Sequence, residues 1–293
     1  MAYYSGSAVD MAAVRSALVS ACTSEGWSWD GSGEVLSKGV LYLRLRVVSG
    51  YLELLGRTSA SAGDAPSVVR MGQLAATSIS YPVAYEIFVF DWEVYVVINY
   101  SIDYYQWCAF GRSIIEGLPG SGMWLGATLE ANNPTGISIT GSDGVNTNNT
   151  ITPAIFWATS IQVGSRNRNC YVHSGLDSEG WNLTISGGTS QVGITQLVPL
   201  IGLLPSAWNS EAVLLPVRCY KQRPSQKVSL VADLQHARYT RVDNYAPGQI
   251  INIGSDRWKI FPWYLKNTAA RAGGSEGISH TGTFGWAIRY EGA

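Results

Sequence analysis

Between Val83 and Gly111 the chain reads VAYEIFVF-DWEVYVVINY-SIDYYQWCAFG, three aromatic or β-branched runs parted by Asp91-Trp92 and Ser101-Ile102-Asp103. Such runs favour strands, and polar breaks this short join neighbouring strands directly. In the first run Tyr85, Ile87 and Val89 oppose Glu86, Phe88 and Phe90; in the second Val94, Val96 and Ile98 oppose Tyr95, Val97 and Asn99. Both faces of the predicted meander are thus largely apolar. It must be covered twice, by other elements of the chain or by a neighbouring subunit.

The flanking pattern extends this reading. Asp10 is placed to cap a helix in which Met11, Val14, Ala17, Leu18, Ala21 and Cys22 recur at helical spacing up to Glu25-Gly26. From Val35 the period changes to two. Val35 to Val48 predicts two short strands, or one bent around Ser37-Lys38-Gly39, with the leucines of Leu41 to Leu45 on one face and Arg44 and Arg46 on the other. Tyr51 to Leu55 continues the sheet, and TSASAGDAPS is a loop. Further strands are predicted at Ile155 to Val163, Val213 to Tyr220 and Thr283 to Tyr290, with Pro216 demoting its strand to an edge or breaking it, and Val228 to Leu234 is a short apolar run. Ile250 to Ile253 pairs with Trp258 to Phe261 across Gly254-Ser255-Asp256-Arg257. Trp258 and Ile260 then face inward, Lys259 meets water or an acidic neighbour, and Phe261 lies at a rim or a subunit contact. The polar stretch 131–153 is expected to be an exposed loop or hairpin tip. The predicted fold is mainly β, with antiparallel sandwich-like sheets and one short N-terminal α-helix. Its expected segments are 1–125, a helix plus β domain; 126–210, a loop-rich β insertion; and 211–293, a C-terminal β domain packing on the first.

Composition narrows the function. In 293 residues, 20 Lys+Arg and 21 Asp+Glu give a net charge of −1, and only 14% are charged, against about 25% in ordinary domains. So few basic groups argue against nucleic-acid binding, which rests on replacing counterions. Low charge with 11 Trp and 16 Tyr suits surfaces buried in an assembly, and suits sugar binding as well. Cys22, Cys108, Cys170 and Cys219 lack zinc or redox spacing and read as buried free thiols. The N-terminus lacks a signal-peptide pattern and no apolar run is long enough to span a bilayer, so synthesis in a cytoplasm and no membrane partner are expected.

Catalytic and cofactor signatures are thin. Gly117, Gly120 and Gly122 are out of order for a dinucleotide loop, no Gly-Lys-Ser/Thr follows, and turn glycines are expected. His173, Asp177 and Glu179 invite a metal or acid–base reading, but no second histidine lies at a local spacing, His236 and His280 being remote. Asp177 and Glu179 share a face of an extended segment, whereas paired glycosidase carboxylates usually come from different elements. No nucleophile elbow surrounds Ser113 or Ser190. The sequons at Asn148 and Asn182 are read as chance matches. No catalytic residue, metal site or cofactor is expected.

Three stretches carry a resemblance: MAYYSGSAVDMAAVRSALVSACTSEGW; Phe88-Val89 through VYVVINYS to YYQWCAFG; and IINIGSDRWKIFPWYLKN followed by GTFGWAIRYEG. In order and spacing the chain resembles virion structural proteins of tailed bacteriophages, from tail and baseplate genes, with residues 125 to 210 least alike. The resemblance implies a non-enzymatic virion component made in the host cytoplasm. It further implies self-association in a symmetric ring, threefold or sixfold, and contacts with other tail or baseplate proteins. Phe88, Phe90, Trp92, Trp124, Phe261 and Trp263 are the candidate interface residues, together with the 131–153 loop. The alternative is a carbohydrate-binding or receptor-binding tail protein, with stacking residues among Trp27, Trp29, Trp124, Trp157, Trp181, Trp208 and Trp263.

Overall fold

A computed structural model describes residues 1–72, 79–101, 104–131, 154–156, 169–178, 180–184, 191–193, 213–223, 225, 227–242, 245–266 and 284–292. The chain opens with β1 (Ala2–Ala8) and α1 (Met11–Ser24), followed by β2 (Ser28–Asp30), β3 (Val35–Lys38), β4 (Leu41–Val48), β5 (Tyr51–Arg57) and β6 (Val69–Gly72). The meander is β7 (Val83–Val89), β8 (Glu93–Ser101) and β9 (Tyr104–Arg112), and β10 (Met123–Ala127) and β11 (Leu129–Glu130) come next. Then follow β12 (Cys170–Ser174), β13 (Gly180–Thr184), β14 (Gln191–Gly193), β15 (Leu215–Arg223), β16 (Lys227–Arg241), β17 (Ile250–Ile253), β18 (Asp256–Pro262) and β19 (Phe284–Arg289).

Asp10 caps α1 as its side chain predicted: extended at φ −167°, it accepts from Ala13 N–H at 2.7 Å, a contribution of about 1 kcal/mol. The helix stops at Glu25, where Gly26 takes φ +82° and the amides of Gly26 and Trp27 satisfy the carbonyls of Thr23 and Cys22. Met11, Val14, Leu18, Ala21 and Cys22 are its buried stripe.

The strands form two sheets. A six-stranded sheet runs β11-β6-β5-β4-β3-β2 and a 13-stranded sheet runs β1-β7-β8-β9-β10-β12-β13-β14-β15-β16-β19-β18-β17. Described pairs are antiparallel except β13 with β14. All three sequence segments, 1–125, 126–210 and 211–293, contribute strands to the large sheet.

The meander is covered on both faces by its own chain. Ile87, Val89, Val94, Val96, Ile98, Cys108 and Phe110 join a first core with α1 and with Leu36, Leu41, Leu43, Leu45, Leu52 and Leu54 of the small sheet. Phe88, Phe90, Tyr95, Val97, Trp107 and Ala109 join a second core with Val217, Leu234, Phe261, Trp263, Trp286 and Ile288. The large sheet therefore curls until its far strands lie over its near ones. Aromatic edges close that turn: Phe88 meets Phe261 at 6.0 Å, Tyr3 meets Tyr290 at 5.1 Å, and Tyr95 meets Trp286 at 5.5 Å.

The structure answers several expectations in detail. Val35 to Val48 is two strands, with Leu41, Leu43 and Leu45 buried and Arg46 exposed. Pro216 does not put β15 at an edge: the strand lies between β14 and β16, and the proline sits at a register shift, where a missing N–H is tolerated. The short apolar run Val228 to Leu234 lies within a strand of 15 residues, β16. The C-terminal hairpin turns on two residues rather than four, because Ile253 pairs with Asp256 and Gly254 supplies φ +60°. Trp258 and Ile260 are buried, 5% and 1% exposed, while Ile253 on the edge strand is exposed. The expected strand from Ile155 to Val163 lies, beyond Phe156, outside the described residues, as does the 131–153 loop beyond residue 131.

Candidate functional site

Where β9 ends at Arg112 the chain leaves the sheet, loops through 113–122 and returns as β10, with Met123 opposite Arg112. Three glycines shape the excursion, Gly117 at φ +80°, Gly120 at +102° and Gly122 at +66°. Gly120 is required twice over: a Cβ there would stand 2.7 Å from Gly175 N and 3.1 Å from Ser174 Cα. This close approach docks the loop on the β12–β13 hairpin. Gly175 N–H donates to Pro119 O at 2.6 Å and Gly122 N–H to His173 O at 3.2 Å.

Between loop and hairpin lies a cleft of about 290 Å³, lined by Arg112, Ser113, Glu116, Ser121, His173 and Ser174 together with Ile115 and Val231. His173 Nδ1 accepts from the Ser121 amide at 3.0 Å and lies 2.9 Å from Ser121 Oγ. The amide fixes the tautomer, because an Nδ1 that accepts leaves the ring proton on Nε2. Burial holds the imidazole below its ordinary pKa of 6.5, so it is neutral at pH 7. The lone pair that would take the Ser121 proton is already engaged by Ser121's own amide, which makes the pair a brace for the loop.

The imagined cluster of His173, Asp177 and Glu179 does not assemble. Asp177 turns to Lys221, at 3.1 Å, and to Arg223. The Lys221 hydrogen bond holds its carboxyl below the usual range against the opposing effect of desolvation, with Arg223 assisting. Glu179 lies outside the described residues. Among the described residues no three His, Cys, Asp or Glu side chains gather to hold a metal.

Two polar knots tie the curled sheet. Glu93, 1% exposed at the start of β8, receives the amides of Gln235 and His236 at 2.8 and 2.9 Å, with His236 Nδ1 at 2.8 Å and the Tyr95 hydroxyl at 2.9 Å. Phe90 stacks on the His236 ring at 3.8 Å and 14°. Burial, reinforced by the Glu93 charge, pushes the Tyr95 phenol well up and keeps it a donor. In the second knot Tyr3 donates to Glu86 at 2.8 Å, and Lys259 reaches both Glu86 and Tyr3. Lys259 thereby finds its acidic neighbour; burial works to lower its pKa, but Glu86 and Tyr3 raise it overall.

Of the candidate interface residues, Phe88, Phe90, Trp124, Phe261 and Trp263 are 0%, 4%, 0%, 1% and 1% exposed, all in the second core. A partner reaches none of them without opening the fold. Trp92 alone of the set is half-buried, at the β7–β8 turn with Lys38 at 5.6 Å and Arg112 at 5.7 Å from its ring. Of the candidate stacking residues, Trp27, Trp124 and Trp263 are core, Trp29 and Trp181 are half-buried against the first core, and Trp157 and Trp208 lie outside the described residues. All four cysteines are free and buried; desolvation raises every thiol, that of Cys170 to about 12. The sequence did not single out Arg112, Glu116 and Ser174, nor the pairing of Glu93 with His236. No protein-family model matches the sequence, and no curated protein matches it.

Proposed function

We propose that this protein is a structural component of a tailed-bacteriophage virion that links neighbouring tail or baseplate proteins and performs no catalysis. The observation that supports the reading is the convergence of the three stretches that resemble such proteins. β1, from the first stretch, pairs along its whole length with β7. Phe88, which opens the second stretch, meets Phe261 and Tyr290 of the third, and Glu86 just before it pairs with Lys259. The stretches are distant in sequence, yet Tyr3 of the first, Phe88 of the second and Tyr290 of the third meet ring to ring at the edge of the second core.

Both meander faces are occupied internally, so a neighbour meets edges and loops. Among the described strands β17 suits that role: it ends the large sheet, exposes Ile250 and Ile253 by 40% and 37%, and carries neither lysine nor proline to repel a pairing strand. The expected partner there is a second copy of the chain in a closed ring, threefold or sixfold. Mass spectrometry of purified particles of the encoding phage should find the protein at a fixed copy number. Its absence from intact virions would refute the assignment.

A further inference from the structure

We propose that the cleft between the 113–122 loop and the β12–β13 hairpin binds a carboxylated sugar, a small ring bearing one carboxylate and several hydroxyls. Arg112 supplies the anion recognition. Its side chain is exposed at the cleft and its guanidinium, 5.7 Å from the Trp92 ring, makes neither an ion pair nor a hydrogen bond among the described residues. Arg15, Arg46, Arg57, Arg218, Arg223 and Arg289, by contrast, each hold a carboxylate. A guanidinium steadied on an aromatic face presents a planar fork that fits a carboxylate with two parallel hydrogen bonds.

Two serines carry the second, independent observation. Ser113 is 6% exposed, and its oxygen already accepts from the amides of Ile115, at 3.2 Å, and Asp233, at 3.1 Å. Ser174 is 2% exposed and accepts from the Leu176 amide at 3.2 Å. Neither hydroxyl proton has an acceptor among the described residues, although both side chains line the cleft. A buried donor without an acceptor is costly, and a ligand oxygen in the cleft would satisfy each. Glu116, exposed and without an ion pair among the described residues, adds one strong acceptor to this donor-rich wall. It disfavours a multiply charged phosphate and favours a ligand with hydroxyl donors beside its single negative charge. A volume of about 290 Å³ is at the small end of ligand sites, which suits one sugar ring.

The test uses the full chain and glucuronate as probe, followed by saturation-transfer NMR and titration calorimetry, with glucose, acetate and inorganic phosphate as separate arms. Glucuronate should bind saturably in the millimolar range or tighter. Arg112→Gln should weaken it about 10- to 100-fold, the loss expected for a charge-assisted pair, while Arg112→Lys falls between. Glu116→Gln should lower affinity less, with melting temperature unchanged in all three variants. Glucose binding as well as glucuronate would overturn the role of Arg112. Acetate or phosphate binding equally well would overturn the sugar. Absence of glucuronate binding, or equal binding to wild type and a folded Arg112→Gln or Arg112→Lys, would overturn the site.

Discussion

Replacing Glu93 by alanine is the sharpest test of how the curled sheet is held. Its carboxylate is the common acceptor for two β16 amides, for the His236 imidazole and for the Tyr95 hydroxyl, at distances of 2.8 to 2.9 Å. Truncation leaves those donors facing a small cavity that few waters can enter. Each buried unsatisfied donor costs about 1–3 kcal/mol, and losing one partner of a buried charged cluster costs about 3–5 kcal/mol. Taking about 3–5 kcal/mol as the total, and about 2–4 °C per kcal/mol for a chain of this size, the melting temperature should fall by about 6–20 °C. Near-UV circular dichroism during heating reports the aromatic second core directly, since Tyr95 and Trp286 sit beside the cluster. A double-mutant cycle with His236→Ala should return a coupling of about 1–3 kcal/mol, separating the Glu93–His236 contact from the loss of stacking on Phe90. A fall below about 3 °C for Glu93→Ala would show that water or a rearranged β16 replaces the carboxylate, and the reasoning would fail.

Trp258→Ala should also cost about 3–5 kcal/mol, since the ring is 5% exposed between Arg238 and the Val242–Ile260–Ala287 cluster; a melting shift below about 2 °C would overturn its place in the core. His173 gives a pH signature. Its folded pKa lies below the ordinary 6.5, so its contribution is complete above that value and is lost as pH falls through the folded pKa. The melting difference between wild type and His173→Gln should therefore shrink between pH 7 and pH 5, and a gap that stays constant or widens would contradict the burial of a neutral ring.

How much of this was legible in the sequence depends on where each element's partners come from. The meander was legible because alternation separates Val94, Val96 and Ile98 from Tyr95 and Val97 residue by residue, and the two cores divide along that line. Trp258 and Ile260 followed from the same rule. β1 was not legible: Ser5, Gly6 and Ser7 carry no strand signal, and its strand character comes from pairing with β7, a contact about 80 residues away. β16 showed in the sequence only as a short apolar run, because its second half begins with Gln235 and His236, polar residues whose amides serve Glu93.

The cleft is the limiting case of the same argument. Sequence proximity invited a site of His173 with Asp177 that the missing second histidine argued against; in the fold Lys221 and Arg223 on β15 offer that carboxylate two cations, while the loop brings Ser121 to the imidazole from 52 positions away. The loop's glycines were correctly read as turn residues. What the reading lacked was their docking partner, since the requirement for Gly120 arises only against the backbone of Ser174 and Gly175. Arg112 likewise has no distinguishing neighbours in the chain; it becomes a candidate ligand contact only when the fold sets its unpaired guanidinium beside Ser113 and Ser174 at the cleft. A site built from an unpaired cation and two hydroxyl protons left over from turn hydrogen bonds leaves no motif, because what defines it is the absence of partners that only the folded chain can supply or withhold.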